Sequence, residues 1–252
     1  MRAAAILALA LIAAAFPAYA ELSATAHFAN PTERYGHGAL GPGHEFESLR
    51  ITVRRSTGDG KGLFSGATNL TYDLTLGPDL VWEDTAPRVM DLDGDGVPEI
   101  IVVQSSLSQG SRLVVLTLGN GKPVLAVDGP FVGERNHWLS VIGAGDLDGD
   151  GRPEIALIDA PHRLGKLVIY RYGRGKLTEV GRGGDVSNHH YGADHALGGL
   201  RDCAQQPEMI VASFDWSRLV ALRQSPDGRV TRRELGTDTS PAAFDAALSC
   251  KI

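Results

Sequence analysis

The chain has 252 residues, 24 lysines and arginines against 30 aspartates and glutamates, and a formal net charge of −6, with 43% of its residues hydrophobic. That length is enough for one large or two small cores. The acidic balance argues against nucleic acid or an anionic membrane surface as partner.

In chain order, residues 1–20 read MRAAAILALALIAAAFPAYA: one positive charge at Arg2, an apolar run, and Ala18-Tyr19-Ala20 in a small-x-small arrangement. This predicts a secretory signal peptide cleaved near Ala20. A membrane anchor is the alternative, but the run is shorter than the ~20 apolar residues that span a bilayer, so no membrane insertion is expected. The mature chain from Glu21 would keep 23 basic and 30 acidic residues, a formal charge of −7, in the periplasm or outside the cell. Cys203 and Cys250, the two cysteines of the chain, are then expected to pair in an oxidising compartment, with two free thiols as the alternative.

The middle of the chain repeats itself. DLDGDGVPEIIVV at 91–103 returns as DLDGDGRPEIALI at 146–158. Each copy leads to a second β-rich stretch, SRLVVLTL or KLVIYRY, then to a glycine turn, GNGK or GRGK, and another short strand. Such turns between β-branched runs are hairpin signals. LRDCAQQPEMIVAS at 200–213 is a third copy, and RYGHGALGPGHEFESLRITV at 34–53 a faint fourth that places Leu40 where Leu92 sits. No long stretch after the leader has apolar residues at helical spacing. The expected fold is all-β: a β-propeller-like array of about four ~55-residue, four-stranded repeats, closed or partly open, with repeats near 34–86, 87–141, 142–196 and 197–252. A β-sandwich with two inserted loops is the competing architecture.

In the first loop Asp91, Asp93, Asp95 and Glu99 occupy positions 1, 3, 5 and 9, and the backbone carbonyl of Val97 is available at position 7. Carboxylates so crowded repel, and a hard cation relieves them; calcium takes 6–8 oxygen ligands of this kind, whereas magnesium demands tighter octahedral geometry. Gly94 and Gly96 supply the turns. The same roles fall on Asp146, Asp148, Asp150, the carbonyl of Arg152, and Glu154, so two calcium sites are expected. An EF-hand would need a Glu at position 12 followed by a helix; here Val102 and Leu157 fill that position within apolar runs. An acidic surface turn that binds nothing is the bland alternative.

The pattern Asp-x-Asp-Gly-Asp-Gly-x-x-Glu leading into a strand resembles the calcium loop of FG-GAP and VCBS repeats, the units of integrin α-chain propellers and of many secreted bacterial proteins, short VCBS-repeat proteins among them. The resemblance covers most of residues 34–235 and implies calcium-stabilised blades and an extracytoplasmic location, but no particular reaction. Such propellers commonly have about seven blades, and this chain has room for about four. The third loop departs from the pattern: Leu200, Asp202, Ala204 and Glu208 stand where the second has Asp146, Asp148, Asp150 and Glu154, and Cys203 replaces Gly149. A Cys203–Cys250 disulfide is expected to fix this loop where the others use an ion.

The segments preceding the loops carry His37, Glu83, Arg88, His137, Trp138, His190 and His195. In a propeller these segments approach the centre, so they are candidate ligand-binding residues for an unidentified protein, glycan or small ligand. Packing between blades is the competing role. No Gly-x-Ser-x-Gly, His-Glu-x-x-His or phosphate loop is present. A calcium-binding module with a binding or structural role is therefore favoured over a hydrolase or metal-dependent enzyme using a histidine-rich face.

Overall fold

A computed structural model describes residues 21–57, 66–173, 175–203 and 206–252; the expected leader and Ala204 lie outside the described residues. The chain is all-β with one short helix. The first sheet has eight strands: β1 (Glu21–Pro31), β2 (Phe46–Thr57), β3 (Gly66–Thr75), β4 (Leu80–Trp82), β5 (Arg88–Met90), β6 (Glu99–Ser106), β7 (Gly110–Gly119) and β8 (Lys122–Asp128). The second has four: β9 (Leu139–Gly145), β10 (Glu154–Asp159), β11 (Lys166–Gly173) and β12 (Lys176–Arg182). The third has five: β13 (Val186–Ser187), β14 (Gly199–Arg201), β15 (Glu208–Ser213), β16 (Leu219–Gln224) and β17 (Val230–Gly236). Helix α1 (Pro241–Leu248) follows. Among the described residues no sheet closes on itself.

Each strong sequence copy folds as an antiparallel meander: β5-β6-β7-β8, β9-β10-β11-β12 and β14-β15-β16-β17. The turn at 119–122 shows why the glycines recur. Gly119 pairs with Lys122, and Asn120 and Gly121 between them have φ of 53° and 75°, the left-handed pair that a tight hairpin needs. The faint N-terminal copy forms no sheet of its own. Strands β1, β2 and β3 join the first sheet through the single Phe46–Trp82 pairing of β2 with β4.

Continuous apolar runs in β6, β10 and β15 are explained by burial on both faces. Ile101 and Val103 of β6 and Ile155 and Leu157 of β10 share one core between the first and second sheets. Ala156 and Ile158 on the other face of β10 meet Met209 and Val211 of β15 between the second and third. The outer faces are capped differently. Ile100 and Val102 pack with Leu49, Ile51 and Val53 of β2, whereas Ile210 and Ala212 pack with Ala243, Phe244 and Ala247 of α1. That helix starts on a Ser-Pro signal, with the Ser240 hydroxyl accepting from the Ala243 N–H and Pro241 at the first helical position.

The residue at loop position 2 belongs to these cores. Leu92 lies between the first two sheets and Leu147 between the second and third, both essentially fully buried. Each leucine therefore anchors an acidic loop to the packing behind it, and truncating one to alanine carries the ~2–5 kcal/mol cost of a core cavity.

Candidate functional site

The first acidic loop connects β5 to β6, and its aspartates organise their own backbone. Both carboxylate oxygens of Asp91 accept N–H groups, from Gly94 at 2.7 Å and Gly96 at 2.9 Å. Asp93 accepts from the Asp95 N–H at 3.3 Å and Asp95 from the Val97 N–H at 2.7 Å. Gly94 and Gly96 sit at φ of 79° and 82°, which a side chain would strain. Glu99, at the first residue of β6, is buried and accepts the Leu92 N–H at 2.9 Å.

Three of the expected ligands converge. One carboxylate oxygen each from Asp91, Asp93 and Glu99 lie within 4.8 Å of one another, and Asp146, Asp148 and Glu154 repeat the arrangement in the second loop. Asp95 and Asp150 stand outside these three-residue groups, Asp150 bonding the Arg152 backbone at 2.9 Å and its guanidinium at 2.7 Å. Burial, reinforced by the neighbouring acids, pushes the carboxyls of Asp93 and Glu99 above the ordinary range. An ionised cluster therefore costs free energy without a cation, and its all-oxygen donor set fits a hard one.

The second loop has a different electrostatic setting. Arg171, opposite Glu154 on β11, bonds Glu154 Oε1 through Nε at 2.7 Å, and through Nη2 reaches Asp148 at 2.9 Å and Asp150 at 3.1 Å. Burial still raises the Glu154 carboxyl, with Arg171 pulling the other way. A cleft of about 860 Å³ separates the loops, with Asp91, Asp93 and Asp95 on one wall and Arg152, Arg171 and Tyr172 on the other.

In the third loop Cys203 and Cys250 are disulfide-bonded with their Cα atoms 5.6 Å apart, as expected from the sequence. Arg201 stands where Leu92 and Leu147 sit, and its guanidinium bonds Glu208 at 2.8 and 2.9 Å and the Ala247 carbonyl at the end of α1 at 2.8 Å. Arg223 and Arg233 also reach Glu208, at 3.2 and 3.0 Å. Burial alone would raise this carboxyl, but Arg233 and Arg201 hold it below the usual range.

The other candidates divide. Three come together: His37 Nδ1 meets the fully buried Glu83 carboxylate at 2.6 Å, and the Trp138 indole donates to the Glu83 carbonyl at 2.7 Å. The Tyr191 hydroxyl donates to the His37 carbonyl. His137 instead pairs with Asp159, and Arg88 with Asp84 and the Val141 carbonyl. His190 stacks on Trp216 at 3.6 Å, and exposed His195 pairs with Asp194.

His162 was not among the residues singled out from sequence, because it lies in the β10–β11 turn rather than before a loop. Its Nε2 is 2.9 Å from His189 Nδ1, and Trp138 stacks on it. His189 Nε2 faces the Ala193 carbonyl at 2.9 Å. A carbonyl only accepts, so Nε2 carries the proton, Nδ1 is the acceptor and His162 donates to it. Burial first, then neighbouring ring charge, lowers both imidazoles to about 4. His162, with His37, Trp138 and Tyr191, borders a small cavity of about 130 Å³. Among the described residues, the groups of three or more side chains able to hold a metal are the two acidic loops, and neither includes a histidine.

The profile described as FG-GAP-like repeat matches residues 91–157, which hold both acidic loops and the hairpin between them. The chain carries FG-GAP-like repeat sequence over those residues. No curated protein matches its sequence. Among solved structures this repeat protein is similar to the exotype rhamnogalacturonan lyase YesX, with 16% identity and a TM-score of 0.42 over 86% of this chain and 48% of that one. It is also similar to rhamnogalacturonan lyase YesW, with 14% identity and a TM-score of 0.39 over 86% and 50%. A third is the Bacillus licheniformis rhamnogalacturonan lyase PL11, with 14% identity and a TM-score of 0.39 over 87% and 52%. The chain spans about half the length of each of these proteins.

Proposed function

We propose that this chain is a secreted or periplasmic calcium-binding module with a binding or structural role, its stacked sheets acting as blades of an open, propeller-like array. The observation that carries the reading is the first acidic loop, where oxygens of Asp91, Asp93 and Glu99 lie within 4.8 Å of one another beside a buried core. Asp95 and the Val97 carbonyl are the remaining candidate ligands of that loop. A bound calcium would supply the positive charge that lets these carboxylates stay ionised together. The loop residues hold the β5–β6 turn and, through Leu92, tie it to the inter-sheet core. The Cys203–Cys250 disulfide supports an oxidising, extracytoplasmic setting. A protein, glycan or small ligand is the expected partner, and the cleft between the acidic loops offers it space.

Calcium uptake and folding are coupled in such a loop. A chelator is expected to lower the melting temperature by several degrees, and excess calcium to restore it by mass action. Calorimetric titration of chelated protein that detected no calcium uptake up to millimolar concentrations, the weak end for extracellular sites, would sink the proposal. The alternative is a hydrolase or metal-dependent enzyme using a histidine-rich face. It predicts that a His137 or His190 substitution abolishes a turnover while leaving the melting temperature unchanged.

A further inference from the structure

The two acidic loops have the same carboxylates at the same spacing, yet the residue facing the glutamate across the strand pair differs. The pairs Ile100–Leu116, Ile155–Tyr170 and Met209–Leu222 fix one common register. One step further along, Glu99, Glu154 and Glu208 therefore face Thr117, Arg171 and Arg223. In the first loop no guanidinium or ammonium among the described residues bonds a carboxylate, and Glu99 is hydrogen-bonded by Thr117. In the second, Arg171 bonds Asp148, Asp150 and Glu154 at once. In the third, two of the four acids are gone and three arginines surround Glu208. Guanidinium is gained at each step along the chain, and carboxylates are lost at the last.

Resting on the calcium reading above, we infer that Arg171 is the resident cation of the second loop, so that the chain takes up one calcium ion, in the first loop, rather than two. The guanidinium is charged at every accessible pH and makes charge-assisted hydrogen bonds to the oxygens a metal would need. A calcium ion entering there would have to expel it or lie against a like charge. The first loop lacks this competitor and retains its unrelieved repulsion. Calcium thus acts on one end of the stack, while the middle loop holds its shape in calcium-free medium.

The experiment is calorimetric titration of the chelated full chain with calcium alone, with circular dichroism as the check of folding. The native chain should take up one equivalent, and Arg171→Thr, which copies the first loop, should take up two. Thr117→Arg, which copies the second, should take up none. Two equivalents of similar affinity in the native chain would overturn the inference while leaving the calcium reading intact, as would an Arg171→Thr variant that stays at one. If the native chain takes up none, the calcium reading fails and the one-ion inference that rests on it falls with it. Should Arg171→Thr not fold, the native count and Thr117→Arg decide, and a Thr117→Arg variant that binds as the native chain does counts against it.

Discussion

In the first unit Glu99 stands among Asp91 and Asp93, with Thr117 as its cross-strand neighbour, and burial holds its carboxyl high. In the third unit Glu208 begins the equivalent strand, β15, but meets Arg201, Arg223 and Arg233, which hold its carboxyl low. The backbone frame is the same, because it is set by apolar packing on both faces of β6 and β15. The loop at its edge can therefore change its counter-ion without changing the fold. The disulfide adds a second difference. It ties the third loop to the tail beyond α1, in a unit whose outer face the helix already covers.

The sharpest way to break this comparison is to neutralise the two glutamates in calcium-free buffer. Glu208→Gln should cost about 3 kcal/mol in denaturant unfolding, since it leaves a buried guanidinium without its anion. Glu99→Gln should be neutral or stabilising under the same conditions, because it removes one charge from a repelling group and keeps an oxygen for the Leu92 N–H. Equal losses in the two variants would mean that the loops are electrostatically alike. Cys250→Ser is expected to cost a similar or slightly larger amount, on the order of 3 to 4 kcal/mol in the chain-entropy model for a loop of this size. Its effect should be independent of calcium; a chelator-dependent loss would couple the two ends.

The smallest effect belongs to the middle of the stack, where acid rather than calcium is the lever. His162 and His189 are lowered to about 4 in the folded chain, against an ordinary value near 6.5. The unfolded chain therefore takes up more protons between these values. Their contribution is fully present above pH 6.5 and is lost as pH falls toward 4. By pH 5.5 the loss should be on the order of 1 kcal/mol for each ring, less for half-buried His162, which water screens, than for buried His189. A His162→Gln, His189→Gln double variant whose melting temperature falls as steeply over that interval would assign the pH dependence elsewhere.

Much of this was legible in the residues. The runs EIIVVQ, EIALID and EMIVAS read as strands because they are β-branched or apolar and bounded by turn residues, and the glycines of GNGK fix a hairpin by requiring positive φ. The disulfide was legible because two cysteines, with the oxidising compartment that the N-terminal apolar run predicts, leave one pairing. The N-terminal strands were less so. Leu22, Ala24, Ala26 and Phe28 alternate as a half-buried strand should, but nothing local says that this layer would join the first sheet rather than form a repeat of its own. His162 gave no signal at all, since a histidine in a turn is ordinary until Trp138 and His189 are folded against it.

The sequence by itself determined the repeat, the strands and the acidic loops, because each rests on local chemistry: side-chain alternation, glycine turns and carboxylates spaced two residues apart. Only the tertiary structure decided which side chain faces each loop glutamate, because Thr117, Arg171 and Arg223 reach Glu99, Glu154 and Glu208 through strand register rather than along the chain. It also decided the two end caps, since covering an exposed sheet face depends on how much apolar surface the stack leaves over, a quantity no single segment contains.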